Sequence, residues 1–568
     1  MEYKTDSLPL ELSGSDRLLA VLERHEDDTT RLVTLDISSG QVLAQKELGD
    51  HYPDLLVFSE GVAAWSWGDQ TLQVYSDTLK PLWSMELEPE GDGRLYGEDL
   101  FYFPKEGGEV QRLSLTDRSV QTCPCAENAS PEEILLTEGG RSLLRSRVED
   151  TGGVVHHWID WEKGALEPVS PPNRYMHMSR KDYYDFLQGD NVLWLRSPVS
   201  GDVYRIAENI DWVIQTHPDH LLGETPEHLL TVQDLKENRC VQHRTAGINE
   251  ALLCGDTVVY MEGDRPRIIT FWKPSPEQWR EHTAQKLTVQ DIARENQEML
   301  RAVTARTDIP VFCGAEGTSY EMEGEGGYRS DPVTDELLIH AALEQLQRFT
   351  NECPEGFFRE MCTEEFSPIE IYFAGTIRGD RYGAQPNGFT TFNGKAQIVV
   401  LDITNTSDVD TLRSIIAHEF LHVMENRINR HSLDTGLDYL SYWMSFVPDP
   451  DLYFYNYRDY RNYDRNPDDY TINGTQTPLF LDAYSRSVPT EDRARMLEHL
   501  YLGEKSVFYN ELQTGVLRQK GEYLCSVIRE CFTTCQIQGR LPWENGIDVV
   551  PFSEFEDAVR SYVPVAVG

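Results

Sequence analysis

The sequence predicts two domains of different class: an all-β N-terminal part with the periodicity of a β-propeller, and an α+β C-terminal part. Three observations carry this. Short β-branched and aromatic runs end in Gly, Asp, Asn or Ser turns throughout the first half. Those turns recur about every 40–45 residues, the length of one four-stranded blade. After Trp272 the pattern changes to amphipathic helices interleaved with a few strands. A chain of 568 residues also exceeds what one hydrophobic core serves. The boundary is expected near 275, giving domains 1–275 and 276–568.

In the first domain, 32–37 before SSG, 71–75 before SDT, 110–115 before TDR and 154–159 before DWEKG read as strands entering turns. Turn centres near 38, 77, 117, 161 and 207, with another near 263, accommodate six or seven blades. Trp65, Trp67, Trp83, Trp158, Trp161, Trp194 and Trp212 are expected to pack between the sheets. A pair of β-sandwiches is the alternative architecture. Propellers commonly bind proteins, peptides or glycans at an open face, so a protein or glycan ligand is expected here, with no motif to identify it.

The second domain reads as a helix over 277–305, an acidic glycine-containing loop within 309–332, a helix over 335–349 and a strand over 368–377. A polar loop over 379–394 and a strand over 396–403 then lead to a helix containing TLRSIIAHEFLHVMENR, 411–427, capped by Ser407 or Asp410. Apolar residues surround this helix nearly completely, which places it inside a domain. His418, Glu419 and His422 nevertheless sit in its middle, where burying them is costly unless they have partners.

These three residues make an HExxH sequence. Histidines four apart stack on one helix face and can share a Zn²⁺, and a carboxylate beside them can take a proton from water. Taken alone, the pattern equally describes two half-buried helix histidines next to an ordinary acidic residue. A catalytic zinc needs a third protein ligand. Glu425 would have to bend back to reach the ion and reads better as a group supporting a histidine. His431 has neither the spacing nor the glycine for a turn. Glu491 is a further candidate, although in AYSRSVPTEDRARMLEHLY it also reads simply as a first-turn acidic residue.

HEFLH followed by Tyr484 and, seven residues later, Glu491 resembles the glutamate-ligand zincins. The likeness is to the lethal-factor-type catalytic domain and the zinc metallopeptidase domains of bacterial surface proteins. CPEGFFREM before IEIYFAGTI resembles the region preceding the active-site helix in the latter. The resemblance spans roughly 280–540. It implies an α+β zincin-like fold and a zinc metallopeptidase, an endopeptidase acting on a protein or peptide. His418, His422 and Glu491 would be the zinc ligands, Glu419 the general base and Tyr484 the oxyanion donor, with Arg486 nearby. On the same analogy 369–377 is the edge strand against which an extended substrate lies. Arg493 stands where the family usually carries an aromatic residue. The stretch from Asn429 to Asp482, with its tract YFYNYRDYRNYDRNPDDY, reads as a surface lid or an ordinary elaborated loop. A protein- or glycan-binding surface protein with a degenerate zincin-like domain is the alternative function.

A formal net charge of -44 excludes nucleic acid as a partner on electrostatic grounds. Cys123/Cys125 and Cys531/Cys535 lack two further cysteines at zinc-finger spacing and are expected to be structural. No apolar run is long enough to span a membrane and the N-terminus has no signal-peptide pattern. The resemblance implies an extracytoplasmic or cell-surface protein whose export signal is not in this chain; a cytoplasmic one is the other reading.

Overall fold

The computed structural model describes the chain except for residues 67, 89–92, 106–107, 127, 139–140, 149–153, 169–178, 182–183, 189–191, 198–200, 218, 282, 321–326, 363–367, 380–385, 405–408, 456–477, 538 and 564–568. It divides into two compact units, Met1–Thr288 and Val289–Gly568.

The first unit is a β-propeller. Among the described residues it contains seven antiparallel sheets, six of them built on four consecutive strands, beginning with Leu8–Gly14 to Val42–Gly49. The seventh has three consecutive strands, Ile248–Cys254 to Ile268–Trp272, and takes its fourth from the chain start, with Glu2 opposite Thr270. The first and last blades thereby lock, sharing a core of Leu12, Val21, Val33, Val259, Ile269 and Phe271. Inner strands such as Leu18–Arg24 and Gly61–Ser66 are buried on both faces where blades stack, whereas outer strands such as Val42–Gly49 are largely exposed, and the ring buries a succession of apolar cores. Polar staples join neighbouring blades. Glu11, Gln215 and Glu250 each follow a register shift in the first strand of a blade. Their side-chain oxygens accept the backbone N–H of Leu55, Leu253 and Leu12 in the next blade at 2.9, 2.9 and 3.0 Å.

Among the described residues the blades number seven, the larger of the two expected counts, because the interval between the turns near 207 and 263 holds a further turn between Leu229–Asp234 and Arg239–Arg244. Other expectations change. Trp65, Trp158, Trp161 and Trp194 are buried between sheets, whereas Trp212 is 42% exposed and Trp67 lies outside the described residues. The α-helix starts only at Val289, and before it Pro276–Gln278 makes a single 3₁₀ turn. Arg280–Glu281 and Ala284–Leu287 add fifth strands to the sixth and fifth blades, so the units divide after Thr288 rather than near 275. The apolar residues read as one helix face serve the propeller instead: Trp279 packs against the sixth and seventh blades, and Leu287 is buried at an edge.

In the second unit, elements are numbered from its own start. Helix α1 (Val289–Thr307) packs on α2 (Glu336–Glu352), whose N-cap Asp335 accepts from the Leu337 N–H. The short helix α3 (Phe357–Met361) follows. Strands β1 (Val311–Phe312), β3 (Ile369–Ala374) and β6 (Gln397–Asp402) run parallel, and β5 (Gly388–Phe392) is antiparallel to β6, giving the order β1-β3-β6-β5. Strands β2 (Tyr328–Ser330) and β4 (Ile377–Gly379) form a separate ribbon. Three further long helices follow, α4 (Val409–Thr435), α5 (Pro489–Leu502) and α6 (Gly515–Cys531), and then two short ones, Thr533–Ile537 and Glu556–Ser561. Among the described residues, no helix is long and apolar enough to cross a membrane. All ten cysteines are free thiols.

The stretch 369–377 is not the sheet edge, because β3 pairs with β1 on one side and β6 on the other. The edge is β5, inside the expected polar loop, and it turns into β6 through Asn393-Gly394. Asn393 Oδ1 accepts the N–H groups of Lys395 and Ala396 at 3.0 and 2.8 Å, and Gly394 takes φ +81, a geometry that favours glycine. Of the expected solvated loop, 321–326 lie outside the described residues, and the parts around them are packed: the ring of Tyr328 stacks on Phe389 at 4.6 Å, and Tyr320 meets both Phe389 and Tyr372 edge-on. The expected lid is partly a core, since Trp443, Val447, Tyr453, Leu479 and Phe480 are buried; 456–477, with most of the tyrosine-rich tract, lie outside the described residues.

Candidate metal centre

Helix α4 is buried along most of its first half, including His418 and Glu419, because it lies under the sheet and against α2 and α5. The 3.6-residue period puts His418 and His422 on the face toward α5. Glu491 comes to them from the first turn of α5, just after Pro489 starts that helix. Glu491 Oε2 lies 3.1 Å from His418 Nε2 and 3.7 Å from His422 Nε2. One donor atom from each of the three residues falls within 4.8 Å of the others. With metal–ligand bonds of about 2.1 Å a tetrahedral zinc has ligand–ligand edges of about 3.4 Å, so this N, N, O set has the chemistry and spacing to hold such an ion.

Each histidine is oriented from behind. His418 Nδ1 lies 3.2 Å from Glu498 Oε2, and Arg495 donates to the other oxygen of Glu498 at 2.5 Å. Arg495 also holds Asp482, which accepts the N–H and hydroxyl of Ser485 at 2.8 and 2.9 Å, next to Tyr484. His422 Nδ1 meets the Thr490 hydroxyl at 3.3 Å; that hydroxyl donates to Glu425 Oε2 at 2.6 Å, and Arg493 donates to Glu425 Oε1 at 2.6 Å. Glu425 therefore reaches a histidine through Thr490, and Arg493, divergent from the resembled family, is its buried counter-ion. Such partners fix ring orientation and tautomer at metal sites.

Glu419 points to the edge strand. Thr390 on β5 donates to Glu419 Oε2 at 2.7 Å, and Gly388 lies so close that a Cβ there would stand 2.8 Å from Oε1. The carboxylate is thus wedged between α4 and β5. Tyr484, in a short 3₁₀ turn, has its ring 6.1 Å from that of His418. Arg486 is directed elsewhere: its Nε donates to the Leu452 carbonyl at 3.1 Å and its guanidinium lies 4.4 Å over the Phe454 ring. His431 packs on Tyr439, away from the triad.

Burial opposes charge on His418, but hydrogen bonds to Glu491 and Glu498 and the charge of Glu419 outweigh it and raise its pKa to about 10. His422 is raised by the same balance, chiefly through Glu491. Burial likewise pushes Glu491 up, yet hydrogen bonds from both histidines hold it well below the usual carboxylate range. Burial raises Glu419, and the two histidines and Thr390 offset this only in part. The cluster therefore favours the charged form of Glu491 and pushes Glu419 the opposite way.

The sequence led to His418, Glu419, His422, Tyr484 and Glu491, and the fold brings these five together. Gly388, Thr390, Thr490, Arg495 and Glu498 were not among the site residues expected from the sequence. Glu498 had a signal, since it lies seven residues after Glu491 on the same face of α5.

No protein-family model and no curated protein sequence matches the chain. Among solved structures, apo AztD from Citrobacter koseri is similar over 48% of this chain and 98% of its own, at 10% identity and a TM-score of 0.30. The β-propeller domain of the Trilobed protease from Pyrococcus furiosus is similar over 50% and 98%, at 11% identity and 0.31. Hsv2 from Kluyvelomyces marxianus is similar over 50% and 99%, at 11% identity and 0.29. The propeller assignment rests on the seven sheets and their closure by the first strand.

Proposed function

We propose that the second unit is a zinc-dependent peptidase that hydrolyses a protein or peptide. The observation that supports this most is the convergence of His418, His422 and Glu491 from two helices, with Glu419 held beside them by the edge strand. Zinc, when bound, would supply Lewis acidity, polarising the scissile carbonyl and easing deprotonation of water. Glu419 accepts the proton of the attacking water and returns it to the leaving amine. Tyr484 donates to the oxygen that gains charge as the carbonyl is attacked, where such a bond accelerates the step most.

The substrate backbone adds to β5, the outer strand of the sheet among the described residues, beside Glu419, rather than to β3. The propeller would hold a protein or glycan ligand.

Metal analysis tests the ligand set. The wild type should carry one zinc per chain and Glu491→Ala little or none at the same free zinc concentration. Full occupancy in that variant would contradict the assignment.

A further inference from the structure

Residue Lys520 lies in the middle of α6, in VLRQKGEYLCSVI, between Leu517 and Tyr523 on the buried side of the helix. Its side chain is 0% exposed, and so is that of Asp492, its partner at 2.6 Å. The same ammonium donates to the Leu479 carbonyl at 2.7 Å and lies 4.6 Å over the ring of Phe480 and 5.3 Å over that of Trp443. Asp492 Oδ2 also accepts from Trp443 Nε1 at 2.8 Å and from the Tyr453 hydroxyl at 2.7 Å. Burial pulls Lys520 below the ordinary lysine range, with Asp492 pulling the other way.

Such a pair is a poor way to gain stability. Desolvating two charges usually cancels their attraction, and apolar replacements of similar volume are often no worse. What the pair supplies is direction. Asp492 is the immediate neighbour of Glu491, so fixing its azimuth on α5 fixes that of Glu491, about 100° away. Leu479 stands five residues before Tyr484, in the segment that Arg495 also holds through Asp482.

We propose that Lys520 is a positioning residue for the metal centre: through Asp492 and the Leu479 carbonyl it sets both the helix that presents Glu491 and the segment that presents Tyr484. This rests on the zinc reading above. The site then depends on α6, a helix that contributes no ligand to it.

The test is zinc affinity, measured on the full chain by competition with a chelator, using zinc alone as the probe. Lys520→Met/Asp492→Asn neutralises the pair at nearly constant volume and leaves an oxygen for Trp443 and Tyr453. It should fold, judged by circular dichroism and melting, and bind zinc about 10–100-fold more weakly, the loss typical of a disrupted orienting group. In a Glu491→Ala background the same double change should cost little more, because its effect passes through Glu491. Wild-type affinity in the folded pair variant, or an equal loss without Glu491, would overturn the proposal. Should the pair variant not fold, Asp492→Asn alone is judged by the same two criteria. A wild type that binds no zinc in this assay would overturn the zinc reading itself, and the inference with it.

Discussion

Gly388 offers a direct probe of how Glu419 is aimed. Its backbone is one that alanine can adopt, so Gly388→Ala changes only the space filled by a methyl group. That methyl would stand 2.8 Å from Glu419 Oε1, 3.0 Å from its Cγ and 3.1 Å from the Val400 carbonyl oxygen. Ordinary contact begins near 3.4 Å, so Oε1 must retreat by roughly 0.6 Å (3.4 − 2.8). Val400 is fixed in β6, and the carboxylate is the part free to move. Overpacking of this kind costs about 1–3 kcal/mol, which a domain of this size tolerates. Catalysis is less tolerant: a misplacement of about 1 Å can cost about 10²-fold, so a drop in kcat of about 10–100-fold is expected. None of the three ligands is among the atoms the methyl meets, and zinc content should be unchanged. The assay pairs metal analysis with kcat on a peptide that the wild type cleaves. An unimpaired rate, or zinc lost in step with activity, would refute the reasoning.

Two further outcomes follow from the same geometry and electrostatics. Tyr484→Phe should fold and bind zinc as the wild type does while hydrolysing peptide about 10²–10³-fold more slowly; an unchanged rate would remove Tyr484 from the site. In the propeller, burial raises Glu11 and Glu250 from 4.5 to about 7. Their folded pKa values thus exceed the unfolded ones, so the stability tied to the neutral forms is full below about pH 4.5 and is lost as pH rises through about 7. At 1.36 kcal/mol per unit this is up to about 3 kcal/mol per group. Glu11→Gln/Glu250→Gln keeps an oxygen for Leu12 and Leu55, and should flatten the dependence of the propeller's melting temperature between about pH 5 and 8. An unchanged slope would show that these carboxyls do not titrate there.

What could be read from the sequence depended on whether the signal was local. Strands such as Thr71–Tyr75 and Glu109–Ser114 were legible because β-branched runs ended at turn residues, and their recurrence suggested blades. The helix of His418 was legible from its apolar surround. Residues 277–288 misled because Trp279, just before the short strand Arg280–Glu281, and Leu287, at the end of Ala284–Leu287, also fit a helix face, and only the neighbouring blades decide between them. The strand Gly388–Phe392 was overlooked among polar neighbours, although Thr390, Thr391, Phe392 and the Asn393-Gly394 turn together form a hairpin signal. The roles of Arg493 and Lys520 could not be read at all. Each is defined by an acidic partner, Glu425 or Asp492, on a different helix.

The central claim is tested most directly by exposing a mixed peptide library to zinc-loaded wild type and Glu419→Gln. We expect a defined set of cleavages by the wild type that a chelator abolishes, and their absence from a variant that still holds zinc. Equal cleavage by Glu419→Gln, or none by the zinc-loaded wild type, would contradict the account.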